Sequence, residues 1–310
     1  MLPDKPWKVD ALARLFGGVL LSLFFVNSAA ASLAHYLREP QDVQAPAYFA
    51  AFIASAAFFL AGMFLVQKEW NIERILFQAG LLFLTVYGSF ILLWLAIRVQ
   101  GGLPENVSDQ STWRVVIAVL SFQGVALVLV HPFVRKHGMT WNEAFGLNLA
   151  PGKVLLIGAA IGISITPLAW GLQSFQSLLL DRLNVPAPEQ EAVEIIRASS
   201  AVVNRVVLAI GTILIVPAAE EVLFRGILYP WIKRIGYPRA AIWISAILFG
   251  VIHANLKTFI PLTVLALVMT LLYERTGNLL APIATHATFN AVNFIYLIVI
   301  DIFAGTPLPE

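Results

Sequence analysis

Long apolar runs recur from Leu12 to Phe303. Each is close to the roughly 20 helical residues needed to cross a bilayer. Length and apolarity mark about nine candidate spans. They are Leu12–Tyr36, Ala47–Val66, Ile75–Ile97, Arg114–Val134, Lys153–Leu178, Arg205–Tyr229, Arg239–Ala254, Phe259–Tyr273 and Leu279–Phe303. The seventh and eighth are short and lie close together. The pattern predicts an all-α fold, a polytopic transmembrane helical bundle. Two polar stretches interrupt it. Asp181–Asn204 holds Pro186, Pro188, Glu189, Glu191 and Glu194, and predicts an amphipathic helix over Glu189–Ser200 at the outer surface. Arg135–Gly152 sets Trp141, Phe145 and Leu147 among polar residues and reads as an interfacial segment with aromatic anchors.

Composition agrees. Hydrophobic residues make up 59% of the 310 and charged ones 12%, where a soluble domain carries about 25% charged. Mean hydropathy is +0.81. The net charge of +2 comes with no basic block, so nothing points to a nucleic-acid partner. The absence of cysteine excludes disulfides, iron–sulfur clusters and thiolate zinc sites. Lys5, Lys8 and Arg14 before an apolar stretch superficially resemble a signal peptide, but Leu15–Tyr36 is too long for its apolar region and reads as a retained first span.

Loop charges set orientation, since Lys and Arg gather on the cytoplasmic side. With the N-terminus inside, the inner segments hold Lys5, Lys8, Arg14, Lys68, Arg74, Arg135, Lys136, Lys153, Lys233, Arg234, Arg239 and Arg275. The outer ones hold Arg38, Arg98, Arg114, Arg182, Arg197, Arg205 and Lys257. The excess predicts a cytoplasmic N-terminus and an outer C-terminus; the expected location is the cell (plasma) membrane.

A charged side chain near the bilayer centre costs roughly 2.5–3.5 kcal/mol on insertion scales. Among the acids only Glu220 and Glu221 fall well inside a span, and among the bases only Arg225. His253, His286 and Asn290 are also inside spans. Glu221 and Arg225 are an i,i+4 pair and predict mutual neutralisation. Glu220 has Phe224 at that spacing, so it must face water or another helix. Pro217 removes a backbone hydrogen bond just before it and can kink the helix. His286 and Asn290 form a second i,i+4 pair, able to donate two hydrogen bonds to an oxyanion. Phe249 lies one turn before His253 and is expected beside its ring, with Gly250 leaving room for a neighbouring helix. Each feature alone is commonly packing or helix glue. Two acids, an Arg, two His and an Asn on three late spans together predict a functional site.

The motifs E-E-x-x-x-R at Glu220–Arg225, F-x-x-x-H at Phe249–His253 and H-x-x-x-N at His286–Asn290 occur in this order. The chain thereby resembles the CPBP family of intramembrane proteases, which includes type II CAAX prenyl endopeptidases and bacterial bacteriocin-processing or abortive-infection-type proteins. The match runs from about Leu208 to Ile295. It divides the chain into 1–152, spans without a recognised motif, and 153–310, the protease core. The resemblance implies a site in a cavity between the late spans and endoproteolysis of a peptide or membrane-anchored protein. It implies that Glu220 and His253 activate water, that His286 and Asn290 stabilise the tetrahedral intermediate, and that Glu221, Arg225 and Phe249 support them. Such hydrolysis needs a base for water, donors to the oxyanion and an acid for the leaving amine. A metalloendopeptidase is the variant in which Glu220, His253 and His286 ligate zinc. No H-E-x-x-H is present, and the metal-free glutamate mechanism is favoured. Two rivals are a membrane scaffold acting by binding alone and a proton-coupled transporter using its carboxylates and histidines as relays.

Overall fold

The computed structural model describes residues 5–26, 28–29, 32, 36, 43–66, 119–199 and 202–303. Among them every regular element is helical. The candidate span Ile75–Ile97 lies outside the described residues. Among the described residues four helices are long and apolar enough to cross a membrane: Pro151–Arg182, Val202–Arg234, Phe259–Thr276 and Leu280–Ile300. Ala45–Phe59 and Pro238–Ile252 are shorter apolar helices. Large apolar side chains such as Leu156, Phe175 and Trp243 stay exposed on the outer faces. In water this would be costly, and against lipid it is not. The chain is an integral membrane protein.

The chain divides into two compact units, Lys8–Lys136 and the union of Met1–Trp7 with His137–Glu310. The first contains α1 (Val9–Leu21), which continues into a π turn at Ser22–Val26, then α2 (Ala45–Val66) and α3 (Val125–Lys136). Its apolar interior includes Leu15, Val19, Val130 and Phe133.

The second unit holds α4 (Trp141–Phe145), α5 (Pro151–Arg182), α6 (Glu191–Ala198), α7 (Val202–Arg234), α8 (Pro238–Ile252), α9 (Phe259–Thr276) and α10 (Leu280–Phe303). Its helix ends follow local chemistry. α5 and α8 start on prolines, whose missing N–H is harmless in a first turn. α4 starts on a capping box, in which Thr140 Oγ1 accepts from Glu143 N at 3.3 Å and Glu143 Oε2 accepts from Thr140 N at 2.8 Å. Helices α5 and α10 run side by side, joined by Thr285 Oγ1–H to Gly158 O (3.0 Å) and Trp170 Nε1–H to Asn293 Oδ1 (2.8 Å).

The two ends of this unit differ. At one, Lys5 Nζ donates to Glu143 O (3.1 Å), Arg234 to Lys5 O (3.3 Å), and Leu279 N to Phe145 O (2.9 Å), while Lys233 pairs with Glu274. At the other, Gln190 Nε2 donates to Thr258 Oγ1 (2.9 Å) and Asn255 Nδ2 to Pro188 O (3.0 Å). The amphipathic helix expected in the long polar stretch is α6, which buries Ile195 and Ile196. The segment expected at the interface departs from its reading at Phe145, which is buried within the protein as α4 wedges against α7.

Candidate active site

Helix α7 is interrupted twice. π turns occupy Gly211–Ile215 and Val222–Leu228, and the six residues Val216–Glu221 between them are α-helical. Such turns are rare and concentrate at functional sites. The first has a local cause. Val216 N–H bonds back to Gly211 O, five residues away, and Pro217 has no N–H to offer. The carbonyl of Thr212 is thereby released from the helical ladder. It accepts Asn290 Nδ2–H from α10 at 2.8 Å. One N–H of the Asn290 carboxamide is therefore committed to the backbone, which fixes the amide plane and leaves the second N–H for other work.

Between the two turns sit the acids. Glu221 is wholly buried, and its Oε1 accepts Arg225 NH1–H at 2.7 Å, the ion pair expected from their spacing. The same oxygen lies 3.1 Å from His286 Nδ1, so Nδ1–H is the donor and Glu221 holds the imidazole. Arg225 is also fully buried. Its NH2 donates to Ala266 O on α9 (3.2 Å), and its Cζ stands 4.5 Å from the Phe249 ring centroid. Glu220, 7% exposed, has His286 Nε2 at 3.9 Å, and its Oε2 is buried without a hydrogen-bond partner. His286 thus stands between both acids.

His253 ends α8 and is half-buried. Its Nδ1 meets Phe249 O at 2.7 Å. A carbonyl only accepts, so Nδ1–H is the donor and Nε2 is left for other partners. Phe249 packs beside His253 (4.8 Å between centroids), as expected, and against His286 (5.6 Å). Gly250 provides the expected room. A Cβ there would stand 2.5 Å from Thr263 Oγ1 and 3.0 Å from Phe259 O.

The structure thus brings Glu220, Glu221, Arg225 and His286 into one polar cluster, with Phe249 packed on Arg225 and both imidazoles. Asn290 anchors on Thr212 O. Among the described residues His253 forms no hydrogen bond or ion pair with Glu220, and the histidine facing Glu220 is His286. No three His, Asp or Glu side chains among the described residues are arranged to hold a metal ion. Two contributors escape sequence reading, the carbonyls of Thr212 and Ala266. Pro217 signals that a carbonyl before it lacks a donor. Nothing local tells which side chain arrives.

Residues 202–292 match the family model "Type II CAAX prenyl endopeptidase Rce1-like". The Rce1-like segment runs from the start of α7 into α10 and contains all three motifs, which bears out the resemblance read from them. Two Bacillus subtilis (strain 168) proteins are similar to part of this chain. "Uncharacterized protein YpbD" is 32% identical over 83 residues, 26% of this chain and 40% of the relative. "Putative membrane peptidase YdiL" is 32% identical over 75 residues, 24% of this chain and 30% of the relative. The matches therefore span less than half of each relative. No solved structure matches.

Proposed function

We propose that this chain is an intramembrane endopeptidase that cleaves a peptide or a membrane-anchored protein, as in CAAX-type processing or the maturation of bacteriocins and signal-like peptides. The observation that carries the reading is Glu220, a buried carboxylate whose Oε2 has no hydrogen-bond partner and which has no guanidinium of its own, beside Glu221, whose Oε1 holds both Arg225 and His286. A purely structural acid would be paired.

Glu220 takes a proton from water as it attacks the scissile carbonyl, with His253 Nε2 accepting a hydrogen bond from the same water. The C–N bond then breaks, the proton passes to the leaving amine, and the products are a new carboxyl and a new amino terminus. His286 Nε2, when that atom carries a proton, and the free N–H of Asn290 donate to the oxyanion. Glu221 orients His286, and Arg225 neutralises Glu221. The mechanism is metal-free, with Glu220 as the base. The site lies in a cavity between late spans of a bundle of about nine.

An internally quenched peptide with a prenylated CAAX terminus, and its unprenylated form, test the activity on the purified full chain. Cleavage of at least one is expected, and it should survive strong chelators followed by dialysis. Activity lost to chelator and restored by zinc would move Glu220, His253 and His286 into ligand roles. Failure to cleave either peptide, together with proton flux in liposomes, would favour the transporter.

Asn290→Ala should lower kcat roughly 10²–10³-fold, the usual loss for one oxyanion donor, with little change in KM. It should also lower stability by about 1–3 kcal/mol, because Thr212 O is left unpaired. A rise in KM alone would make Asn290 a substrate contact.

The proposed orientation is N-terminus inside, in the cell membrane. The end of the second unit that gathers Lys5, Lys153, Lys233, Arg234, Arg239 and Arg275 would be cytoplasmic, and the α6 end, with Glu189, Glu191 and Glu194, outside. The chain has no native cysteine, and Ser199 at that end is buried, so a single Glu194→Cys is the labelling site. An impermeant thiol reagent should label Glu194→Cys in intact cells. Labelling only after permeabilisation would reverse the orientation.

A further inference from the structure

A second proline in α7 strands another carbonyl. Gly226 O would ordinarily accept the N–H of residue 230, but that residue is Pro230. The donor comes from far away in sequence. Trp7 Nε1–H bonds to Gly226 O at 3.2 Å. Trp7 is 2% exposed, and its ring stands edge-on to His137 at 5.2 Å. Its neighbour Lys5 is tied on both sides, giving a hydrogen bond to Glu143 O and receiving one from Arg234. On the α4 side, a Cβ at position 226 would stand 2.6 Å from the Phe145 ring, so glycine is what permits this approach.

Gly226 directly follows Arg225 within the π turn Val222–Leu228. Three features fix the guanidinium: Glu221 Oε1, Ala266 O and the Phe249 face. All three require the backbone at 225–226 to stay where it is. We infer that Trp7 is a positioning residue for the site: by filling the carbonyl that Pro230 leaves open, it fixes the π turn, which holds Arg225 against Glu221 and, through Glu221 Oε1, orients His286. This rests on the peptidase reading only in treating that cluster as catalytic.

Two measurements on the full chain in detergent test it. Trp7→Phe keeps an aromatic ring and deletes the N–H. Should it fold poorly, the isosteric benzothienylalanine at position 7 deletes only the N–H. Backbone hydrogen exchange in peptides covering Val222–Leu228 should rise roughly fivefold or more, the scale of one lost hydrogen bond, while α5 stays unchanged. Cleavage of the prenylated CAAX peptide should lose roughly tenfold in kcat with KM held. In an Arg225→Lys background the same change should cost no further kcat, because the path through Arg225 is already disturbed. Unchanged exchange overturns the inference whatever the activity. Faster exchange with unchanged kcat, or equal losses in both backgrounds, also overturns it and makes Trp7 a packing anchor only. A wild-type chain that cleaves nothing counts against the peptidase reading, and exchange alone then decides the anchoring of the turn.

Discussion

Glu220→Gln should yield a protein that folds like wild type and cleaves nothing. The change is isosteric, and Glu220 Oε2 has no hydrogen-bond partner to lose. His286 Nε2 is 3.9 Å away, beyond hydrogen-bond distance. Little stability depends on the carboxylate, so the detergent-extracted melting temperature should stay within a few degrees, the scale of roughly 0.5 kcal/mol for a minor change. What disappears is the base. Loss of a general base typically costs roughly 10²–10⁴-fold, so cleavage should fall to near background. Proteomics of membranes carrying Glu220 or Gln at this position would then reveal the substrate, as the terminus that vanishes. A Glu220→Gln chain that still cleaves the test peptide at wild-type rate removes Glu220 from the mechanism.

Glu221→Gln should behave in the opposite way, damaging the fold first. Glu221 and Arg225 are both fully buried and joined at 2.7 Å. Neutralising one strands the other, and breaking a buried pair this way costs about 3–5 kcal/mol, a large share of the roughly 5–15 kcal/mol that holds a typical domain. Thermal stability should drop sharply. The double change Glu221→Gln with Arg225→Gln removes both charges and should recover part of the loss. Because Glu221 Oε1 also holds His286 Nδ1, the surviving folded protein should have lower specific activity as well. A Glu221→Gln chain as stable as wild type, or a double variant no more stable than the single, would show that the pair is not an electrostatic lock.

Much of this was legible in one dimension. The Glu221–Arg225 pair follows from helical spacing, because four residues return a side chain to the same face whatever surrounds it. Phe249 beside His253 follows for the same reason. The spacing also left Glu220 without a partner on its own helix. It could not show that His286 stands before Glu220 and bonds Glu221, because α7 and α10 meet only through packing. Nor could it show that Phe145 is buried. A short polar stretch with aromatics has the same composition at a lipid interface as when it is wedged between helices.

The apolar runs by themselves determined membrane class and helical structure, because a buried backbone in lipid must satisfy its hydrogen bonds within each segment. Intramembrane charge by itself pointed to the candidate site, because its cost leaves few positions to consider. Only the tertiary structure decided how the site is held. Pro217 and Pro230 announce two carbonyls without donors, a local fact written in the sequence. That Asn290 and Trp7 supply those donors, 78 and 219 positions away, is a consequence of helix packing. Hydrogen bonds act over about 3 Å, and no periodicity reaches across such separations.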